Sequence, residues 1–209
     1  MFLNSWISFP CFSKNVTIQR AIIGPISSSD ESFYTGNKLQ LYLYMNAFTR
    51  DGKKPAGSYY YPVKDGYTEV EETYTMRGKT VDSSDVLVAT DNQIEENKGS
   101  QIVNVTFTKD GKPYKSSAIL SEEDMQKYLK YSIKVSENCI DEIRTGYCTP
   151  SPYESACDYC AYGGMCGFSG DEGGLYRKVN RVTKSTIIDA VEDSEKLGNK
   201  AVNEYGKEE

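Results

Sequence analysis

Apolar and polar positions along the first third of the chain predict a strand, a helix and a second strand. Residues 17–24 (TIQRAIIG) have the composition of a strand, and the serines at 27–29 predict a turn after it. From Asn37 onward the apolar period becomes that of a helix, with one stripe formed by Leu41, Tyr44, Met45 and Phe48. The Tyr-rich stretch 56–63, bounded by turn-forming residues, predicts the second strand. This order of elements is typical of an α/β fold.

The remaining chain predicts one more strand and one long helix. Residues 67–100 are polar and irregular, so we expect them to contribute little to the core, whereas Val103, Val105 and Phe107 alternate on one face of a strand. The long helix begins after Ser121, a typical N-cap, and stops at Gly146. Its expected buried stripe consists of Met125, Leu129, Ser132, Cys139, Ile140 and Ile143. A charged, partly helical tail follows.

Composition and charge limit the classes of function. The 209 residues, 38% of them hydrophobic, can bury one core, which suggests a single domain with appendages. Net charge is −6, and residues 182–209, with four lysines against seven acidic residues, account for half of it (4 − 7 = −3). Such an acidic tail is usually solvated. Because the rest is close to balanced, the chain has no strong electrostatic footprint for nucleic acid, and DNA is expected as a partner within a larger assembly.

Two absences from the sequence limit the possible catalytic classes and the expected location of the protein. The chain contains no histidine, which excludes Ser-His-Asp and Cys-His nucleophile systems and His-ligated zinc enzymes. No window approaches the ~20 apolar residues of a membrane span, and residues 1–15 lack the features of a secretory signal. We therefore expect a cytoplasmic protein without membrane partners.

Cys157, Cys160 and Cys166 form a Cys-x2-Cys-x5-Cys run in "ACDYCAYGGMCGF". Disulfides are disfavoured because the cysteines crowd together without a secretory context. Short spacings suit a soft metal centre, since short loops let successive sulfurs converge on it. A single hook favours an iron–sulfur cluster over zinc, although spacing alone leaves the two about even. A fourth ligand is missing from the run; the candidates are Cys11, Cys139 and Cys148, of which Cys139 is expected to pack in the core.

Gln40 and Tyr44 are four residues apart on the first predicted helix and so project from one face. A carboxamide and a phenol there are able to orient a phosphate or a metal-bound water, but the spacing alone favours an ordinary amphipathic helix rich in tyrosine, because stripes at this period usually face the core. A further stretch, "RGKT" at residues 77–80, ends like a phosphate-binding loop. No apolar strand leads into it, so we expect no ATP site.

Three stretches together resemble one family. "GNKLQLYLYMNAFTRDGKKPAGSYYYPVKD" resembles the part of RecB-type nuclease domains in which a Gln-x3-Tyr helix precedes a Pro-Ala-Gly strand. "CDYCAYGGMCGF" followed by "LYRKV" is similar to the end of the AddB-type subunit of the bacterial ATP-dependent helicase/deoxyribonuclease. The stretch from "KSSAILSEEDM" to "CTPSPYE" is similar to that family's long helix and connector. The resemblance covers roughly residues 20–180.

The resemblance implies a fold, a chemistry and a set of residues. The implied fold is the PD-(D/E)XK restriction-endonuclease-like core, a mixed sheet flanked by helices. The implied activity is Mg2+-dependent hydrolysis of DNA in double-strand-break repair. The implied partner is a helicase/nuclease subunit of the AddA type. Gln40 and Tyr44 match the family's Gln and Tyr. Cys157, Cys160 and Cys166 match its three C-terminal ligands of a 4Fe-4S cluster, whose fourth ligand lies upstream of the nuclease core in the family.

The chain departs from the family at the catalytic positions. Gly24, Pro25 and Ile26 stand where the resemblance places Asp-Tyr-Lys, although an acid is needed to hold Mg2+ and a lysine to stabilise developing charge. Residues 1–20 contain no Asp or Glu in place of the family's preceding acidic strand. Asp30 and Glu31 are nearby, but we expect them in a solvated turn. This chain is therefore expected to lack the activity.

We expect an N-terminally incomplete domain. Its predicted parts are an atypical segment at 1–20, a partial PD-(D/E)XK domain with the cysteine segment at 21–180, and an acidic tail at 181–209. Two alternatives stay open: a non-catalytic scaffold or DNA-binding module whose cluster staples the C-terminal segment to the sheet, and a CRISPR-associated RecB-like exonuclease.

Overall fold

The computed structural model describes residues 16–22, 29–50, 52–61, 75–100, 102–114, 117–147, 149–153, 156–158, 160–168, 176–178 and 181–205. Its strands are β1 (Val16–Ile22), β2 (Lys54–Tyr61), β3 (Arg77–Val81), β4 (Gly99–Ser100), β5 (Val105–Thr106) and β6 (Ile119–Leu120). Its helices are α1 (Asp30–Tyr34), α2 (Gln40–Thr49), α3 (Ser84–Thr90), α4 (Glu122–Arg144) and α5 (Lys184–Tyr205). The predicted strand–helix–strand order at the front of the chain is confirmed.

The main sheet has four strands in the order β1-β2-β3-β6. β1 runs parallel to β2, β2 antiparallel to β3, and β3 parallel to β6. A parallel pair needs a crossover, and α1 and α2 supply it between β1 and β2. The sheet is thus mixed, and it is flanked by helices as the fold-class prediction requires. β4 and β5 form a separate antiparallel pair.

Gly78 allows β2 and β3 to approach each other closely. It faces Tyr59 across the two strands, and a Cβ at Gly78 would collide with the carbonyl oxygen of Ser58. Gly78 must therefore lack a side chain for this pair of strands to form. Within β2, a Cβ at Gly57 would meet the phenol of Tyr59, so Gly57 leaves room for that ring.

Neighbouring side chains of β2 lie in two different cores, on opposite faces of the sheet. Tyr60 belongs to the larger core, between the sheet and helices α2, α4 and α5. Tyr59 belongs to a smaller core that contains Met76, Leu87, Ile94, Val103 and Val105. The prediction that residues 67–100 add little core is therefore wrong for the part that the structure describes. The strands and the two-turn helix in this part of the chain are too short to show a clear period of apolar residues in the sequence.

The buried face of α2 differs from the predicted stripe by a rotation. Leu41 and Met45 are buried as predicted, but Tyr42 is buried with them while Phe48 is 45% exposed. The cause is α4, which packs against this side: Asn46 donates from Nδ2 to the carbonyl oxygen of Leu129 at 2.9 Å. Contact with a second helix turns the apolar face away from Phe48.

α4 begins as predicted and runs past the core. The Asp124 amide donates to the Ser121 hydroxyl at 3.0 Å, which confirms the N-cap, and Gly146 after the helix has a φ of 75°. Met125, Leu129 and Ser132 of the predicted stripe are buried, but Cys139, Ile140 and Ile143 are exposed. The prediction is wrong for these three because the helix is exposed from Glu137 to its end.

The charged tail contributes to the core through α5. Ile187 and Val191 are buried in the larger core, and Lys184 pairs with Asp124 of α4 at 2.8 Å. The expectation of a solvated tail is therefore wrong for the first turns of α5, because one apolar side of this helix covers α4. Within the described residues, none of the helices is long and apolar enough to cross a membrane.

Candidate functional site

Gln40 and Tyr44 lie one turn apart on α2 and form a hydrogen bond. Gln40 donates from Nε2 to the phenolic oxygen of Tyr44 at 2.9 Å on an exposed part of the helix. Leu41 and Met45 bury the other side of α2, and this packing directs the pair outward. The two side chains thus share one face, as their spacing predicts. Their role at a phosphate or a metal-bound water stays a prediction.

The positions expected to carry the catalytic acid and lysine, Gly24, Pro25 and Ile26, lie outside the described residues. The structure describes β1 as far as Ile22, which is paired with Tyr61 of β2. The preceding residue of β2, Tyr60, lies close to Tyr44 of α2: burial, and then the nearby Tyr44 phenol, raise the pKa of Tyr60. The described end of β1 and the Gln40–Tyr44 helix therefore lie at the same region of the sheet.

Asp30 is the centre of a polar network, and the expectation of a solvated turn is wrong for it. It begins α1 behind the N-cap Ser29, whose hydroxyl accepts from the Ser32 amide at 3.1 Å. The Asp30 carboxylate pairs with Lys79 Nζ of β3 at 3.0 Å, and both side chains are only about one-fifth exposed (20% and 18%). It also accepts a hydrogen bond at 3.1 Å from the phenol of Tyr128 on α4. One carboxylate thus connects α1, the sheet and α4.

Buried tyrosines surround this carboxylate. Burial first, and then the negative charge of Asp30, raise the pKa of Tyr128, and the same two causes in the same order raise that of Tyr42. The ring of Phe33 stacks on Tyr128 with 5.2 Å between centroids and packs against Tyr42 at 4.3 Å. Both phenols stay protonated at neutral pH, and Tyr128 donates its hydrogen bond to Asp30 while Tyr42 packs against Phe33.

A small cavity of about 20 Å³ lies over the network. Its lining includes the polar residues Ser29, Asp30, Lys38, Tyr42, Tyr60 and Lys79. Lys79 and the Tyr128 phenol already bind the Asp30 carboxylate, so a Mg2+ ion would compete with these partners for its oxygens. In the described part of the chain, no group of three or more Cys, Asp or Glu side chains is placed to hold a metal ion.

The sequence reasoning missed Lys79 and Tyr128 as polar partners. Lys79 belongs to the "RGKT" stretch, which forms β3, an antiparallel partner of β2. Tyr128 lies three residues after Met125 on the buried side of α4, so the helical period was sufficient to place it in the core. The pairing of either one with Asp30 joins residues 49 and 98 positions apart and has no local signal.

The three cysteines lie on consecutive exposed turns. The Cys160 amide donates to the carbonyl oxygen of Cys157 at 3.2 Å, and the Cys166 amide to that of Tyr162 at 2.9 Å. All three are free thiols and exposed, as is Cys139 on α4. Cys148 and Cys11, two candidates for a fourth ligand, lie outside the described residues.

The fit of these residues to an iron–sulfur cluster is incomplete. Free thiols at short spacing are the donors that such a cluster requires. In the described ranges, however, they do not come together with each other or with an acidic side chain as a metal-holding group. A metal centre therefore needs a rearrangement of these turns and a further ligand.

Two short stretches on either side of the cysteines are bound to each other. Arg177 donates from its amide to the Pro152 carbonyl oxygen at 2.9 Å and from Nε to that of Ser151 at 2.6 Å. Its guanidinium also lies over the ring of Tyr153, 4.1 Å from the centroid. Next to it, Phe168 and Tyr176 make an edge-on contact with centroids 5.1 Å apart. The ends of the cysteine segment are thus joined by polar and aromatic contacts.

A larger groove lies in the region of the smaller core. It has a volume of about 400 Å³, with an apolar floor that includes Leu87, Ile94 and Phe107 and a rim of mixed charge that includes Asp82, Glu95, Lys98 and Lys109. Opposite charges on the rim give it no preference for an anion, so this groove carries no assignment.

Comparison with known proteins identifies relatives of the chain. Residues 26–167 match the sequence profile of the PD-(D/E)XK nuclease superfamily. Curated relatives named as the B-type subunit of an ATP-dependent helicase/deoxyribonuclease include one from Exiguobacterium sibiricum, 26% identical over 187 residues (77% of this chain, 16% of the relative). A relative from Lysinibacillus sphaericus is 30% identical over 135 residues, which are 59% of this chain and 12% of the relative. A relative from Clostridioides difficile is 27% identical over 194 residues, which are 79% of this chain and 16% of the relative. The chain spans less than one-fifth of the length of these relatives.

Proposed function

The chain belongs to the PD-(D/E)XK nuclease superfamily, and on this premise we propose that it is a nuclease-fold domain of the AddB type that does not cleave DNA. The observation that carries the proposal is the sequence Gly24-Pro25-Ile26 at the place of the family's acid and lysine. Neither glycine nor isoleucine binds a metal ion or stabilises charge on a phosphate. The acid and the lysine that the family places before its Gln-x3-Tyr helix are therefore missing from this sequence.

Asp30 and Lys79 do not replace the missing pair in this proposal. They are acidic and basic as required, but they neutralise each other at 3.0 Å, and Tyr128 occupies the carboxylate as well. A group that is to bind Mg2+ must give up such partners, at the expense of the contacts among α1, β3 and α4. The network supports a structural role in the nuclease fold.

A nuclease assay tests the proposal. Purified full-length protein is incubated with linear double-stranded and single-stranded DNA and Mg2+ or Mn2+, and a known exonuclease is added to a parallel sample as a control for inhibition. We expect no cleavage above a protein-free blank. Robust cleavage that disappears in Gln40→Ala would contradict the proposal and would show that the metal site lies elsewhere in the chain.

DNA and a helicase subunit of the AddA type are the proposed partners. They are suggested by the relatives' name, which combines a helicase with a deoxyribonuclease. Because the chain is acidic overall, at −6, its own affinity for DNA is expected to be weak and strongly dependent on salt. Size-exclusion chromatography of the chain with such a helicase subunit, with and without DNA, checks whether association requires the partner.

Cys157, Cys160 and Cys166 are the proposed ligands of a 4Fe-4S cluster, with a fourth ligand to be identified. The support is three free, exposed thiols in one short segment, together with the resemblance of that segment to the family's cluster site. Iron and acid-labile sulfide are measured after anaerobic purification, and zinc in the same sample. Cys166→Ser is expected to lower the iron content, whereas Met165→Ala, which removes the exposed neighbouring side chain and no thiol, serves as the matched control. Stoichiometric zinc without sulfide would contradict the cluster.

A non-catalytic scaffold is the second candidate. The observation that favours it is the packing of α5 on α4, which fixes the C-terminal part of the chain to the nuclease core. Binding to the helicase partner without DNA in the complex supports the scaffold, whereas the leading proposal expects DNA to join the complex.

A further inference from the structure

The cysteine segment lies between two parts of the chain that are fixed without any metal. On one side, α4 is anchored by Met125 and Leu129 in the larger core. On the other side, α5 is anchored by Ile187 and Val191 in the same core. Between them the chain makes an excursion that contains the three thiols. If contacts of the protein itself join the two ends of this excursion, no metal is needed to hold the excursion in place.

Arg177 makes several contacts with one short stretch of chain. Its amide and its Nε bind successive carbonyl oxygens, those of Pro152 and Ser151, at 2.9 and 2.6 Å. The guanidinium plane then lies over Tyr153, the next residue, at 4.1 Å. A planar guanidinium is suited to this because one face stacks on a ring while an edge donates, which an ammonium group does not do.

The stretch that Arg177 holds begins seven residues after the last residue of α4, Arg144. The first half of α4 is fixed in the core, where Tyr131 is buried and donates from its hydroxyl to the Tyr34 carbonyl oxygen at 2.8 Å. Arg177 is thus bound to a stretch that follows α4 closely in the chain.

The attachment of α5 has its own polar contacts. Lys184 pairs with Asp124 at 2.8 Å, and Lys127 pairs with Glu192 at the same distance. Both pairs join α5 to the first turns of α4, well before the cysteine segment in the chain. None of these contacts involves a thiol.

We infer that Arg177 is a metal-independent clasp: it joins residues 151–153 to residues 176–178, positions the cysteine segment between these two stretches, and leaves α5 attached when the thiols are empty. The inference differs from a cluster that staples the C-terminal segment to the sheet, since the protein's own contacts supply the staple. The effect of the clasp on metal binding rests on the proposed cysteine site. The clasp as a structural contact does not depend on that proposal.

The first experiment removes the thiols. The variant Cys157→Ser/Cys160→Ser/Cys166→Ser and the unmodified chain, both treated with chelator, are compared by hydrogen exchange and thermal unfolding. We expect the amides of Ile187 and Val191 to keep their protection within about twofold, because core burial sets it. Loss of that protection by tenfold or more in the triple variant would overturn the inference.

The second experiment removes the clasp. Arg177→Ala is compared with Lys178→Ala, which removes the same charge from the next residue, and with Arg177→Lys, which keeps the charge. In metal-free protein we expect exchange of the amides of Arg177 and Ala156 to increase about tenfold in Arg177→Ala, with a smaller increase in Arg177→Lys and none in Lys178→Ala. Equal exchange in Arg177→Ala and Lys178→Ala would overturn the clasp.

A third measurement separates positioning from mere stability. Co2+ is titrated into reduced protein, and the sulfur-to-cobalt charge-transfer absorption reports on thiolate ligation. Arg177→Ala is expected to weaken Co2+ binding severalfold at unchanged thermal unfolding of the core, with partial rescue by Arg177→Lys. If the unmodified chain shows no such absorption, the cysteine proposal fails, while the exchange experiment still decides the clasp. Unchanged Co2+ affinity in Arg177→Ala would overturn the positioning role.

Discussion

The Asp30 network and the cysteine segment hold their polar groups in opposite ways. Asp30 is bound by Lys79 and Tyr128, from elements 49 and 98 positions away, inside a region closed by aromatic rings. The three cysteines lie exposed on short turns whose hydrogen bonds span three or four residues. Substitutions in the first region should therefore cost stability, and those in the second should change ligand chemistry while the fold persists.

The largest expected effect separates the two halves of α4. Leu129 is 2% exposed and Ile143 is 74% exposed, although both belong to the same predicted stripe. Leu129→Ala should lower the free energy of unfolding by about 3 kcal/mol, because it leaves a cavity, and Ile143→Ala by less than about 0.5 kcal/mol. Urea denaturation followed by circular dichroism measures both. Equal losses would mean that the end of α4 is covered.

A glycine pair compares the sheet directly with the cysteine segment. Gly78→Ala places a methyl group against the Ser58 carbonyl oxygen, whereas a Cβ at Gly164 has nothing within 4 Å. We expect a loss of about 2–3 kcal/mol for the former and little change for the latter. Thermal unfolding of the two variants checks this, and a stable Gly78→Ala protein would argue against the pairing of β2 with β3.

Asp30→Ala tests the network itself. The substitution leaves a largely buried Lys79 ammonium and the Tyr128 hydroxyl without their acceptor, and should cost about 2 kcal/mol. Glu31→Ala, at an exposed position of the same short helix, is the control and should be nearly neutral. Chemical denaturation gives both values. If the two variants behave alike, Asp30 is solvated after all.

The smallest effect concerns pH and the attachment of α5. Burial opposes ionisation of Asp124, but hydrogen bonds from Lys184 and Ser121 outweigh it, so the pKa of Asp124 lies below its ordinary value. A lowered pKa in the folded state gives stability that is present above the unfolded-state value, near 4, and is lost as the pH falls through the folded-state value. Asp124→Asn should therefore cost about 1 kcal/mol at pH 7 and progressively less below pH 4.

Denaturant titrations at several pH values measure this difference between Asp124→Asn and the unmodified chain. A difference that stays constant down to pH 2 would show that the charge of Asp124 does not contribute.

Much of the fold follows from local sequence signals. The strand–helix–strand order, the Ser121 cap and the end of α4 near Gly146 each depend on a few neighbouring residues, and the structure confirms them. The strand β3 and helix α3 were missed because each is too short to show a period. The Gln40–Tyr44 pair was found because helical spacing alone brings the two side chains together.

Errors arose where distant elements decide which residues are covered. Phe48 and Ile143 have helical spacing identical to that of buried neighbours, but they are 45% and 74% exposed. Asp30 looked like a solvated turn residue because its partners come from β3 and α4. Ile187 and Val191 looked like part of a charged tail because their burial depends on α4.

The sequence by itself determined the family, the strand–helix–strand order at the front of the chain and the three clustered thiols, since all of these are properties of neighbouring residues. Only the tertiary structure decided that Lys79 neutralises Asp30, that α5 covers α4 and that Arg177 joins the two ends of the cysteine segment. Burial and hydrogen bonding between residues far apart in the chain depend on how the elements pack, and a local sequence pattern does not predict that packing.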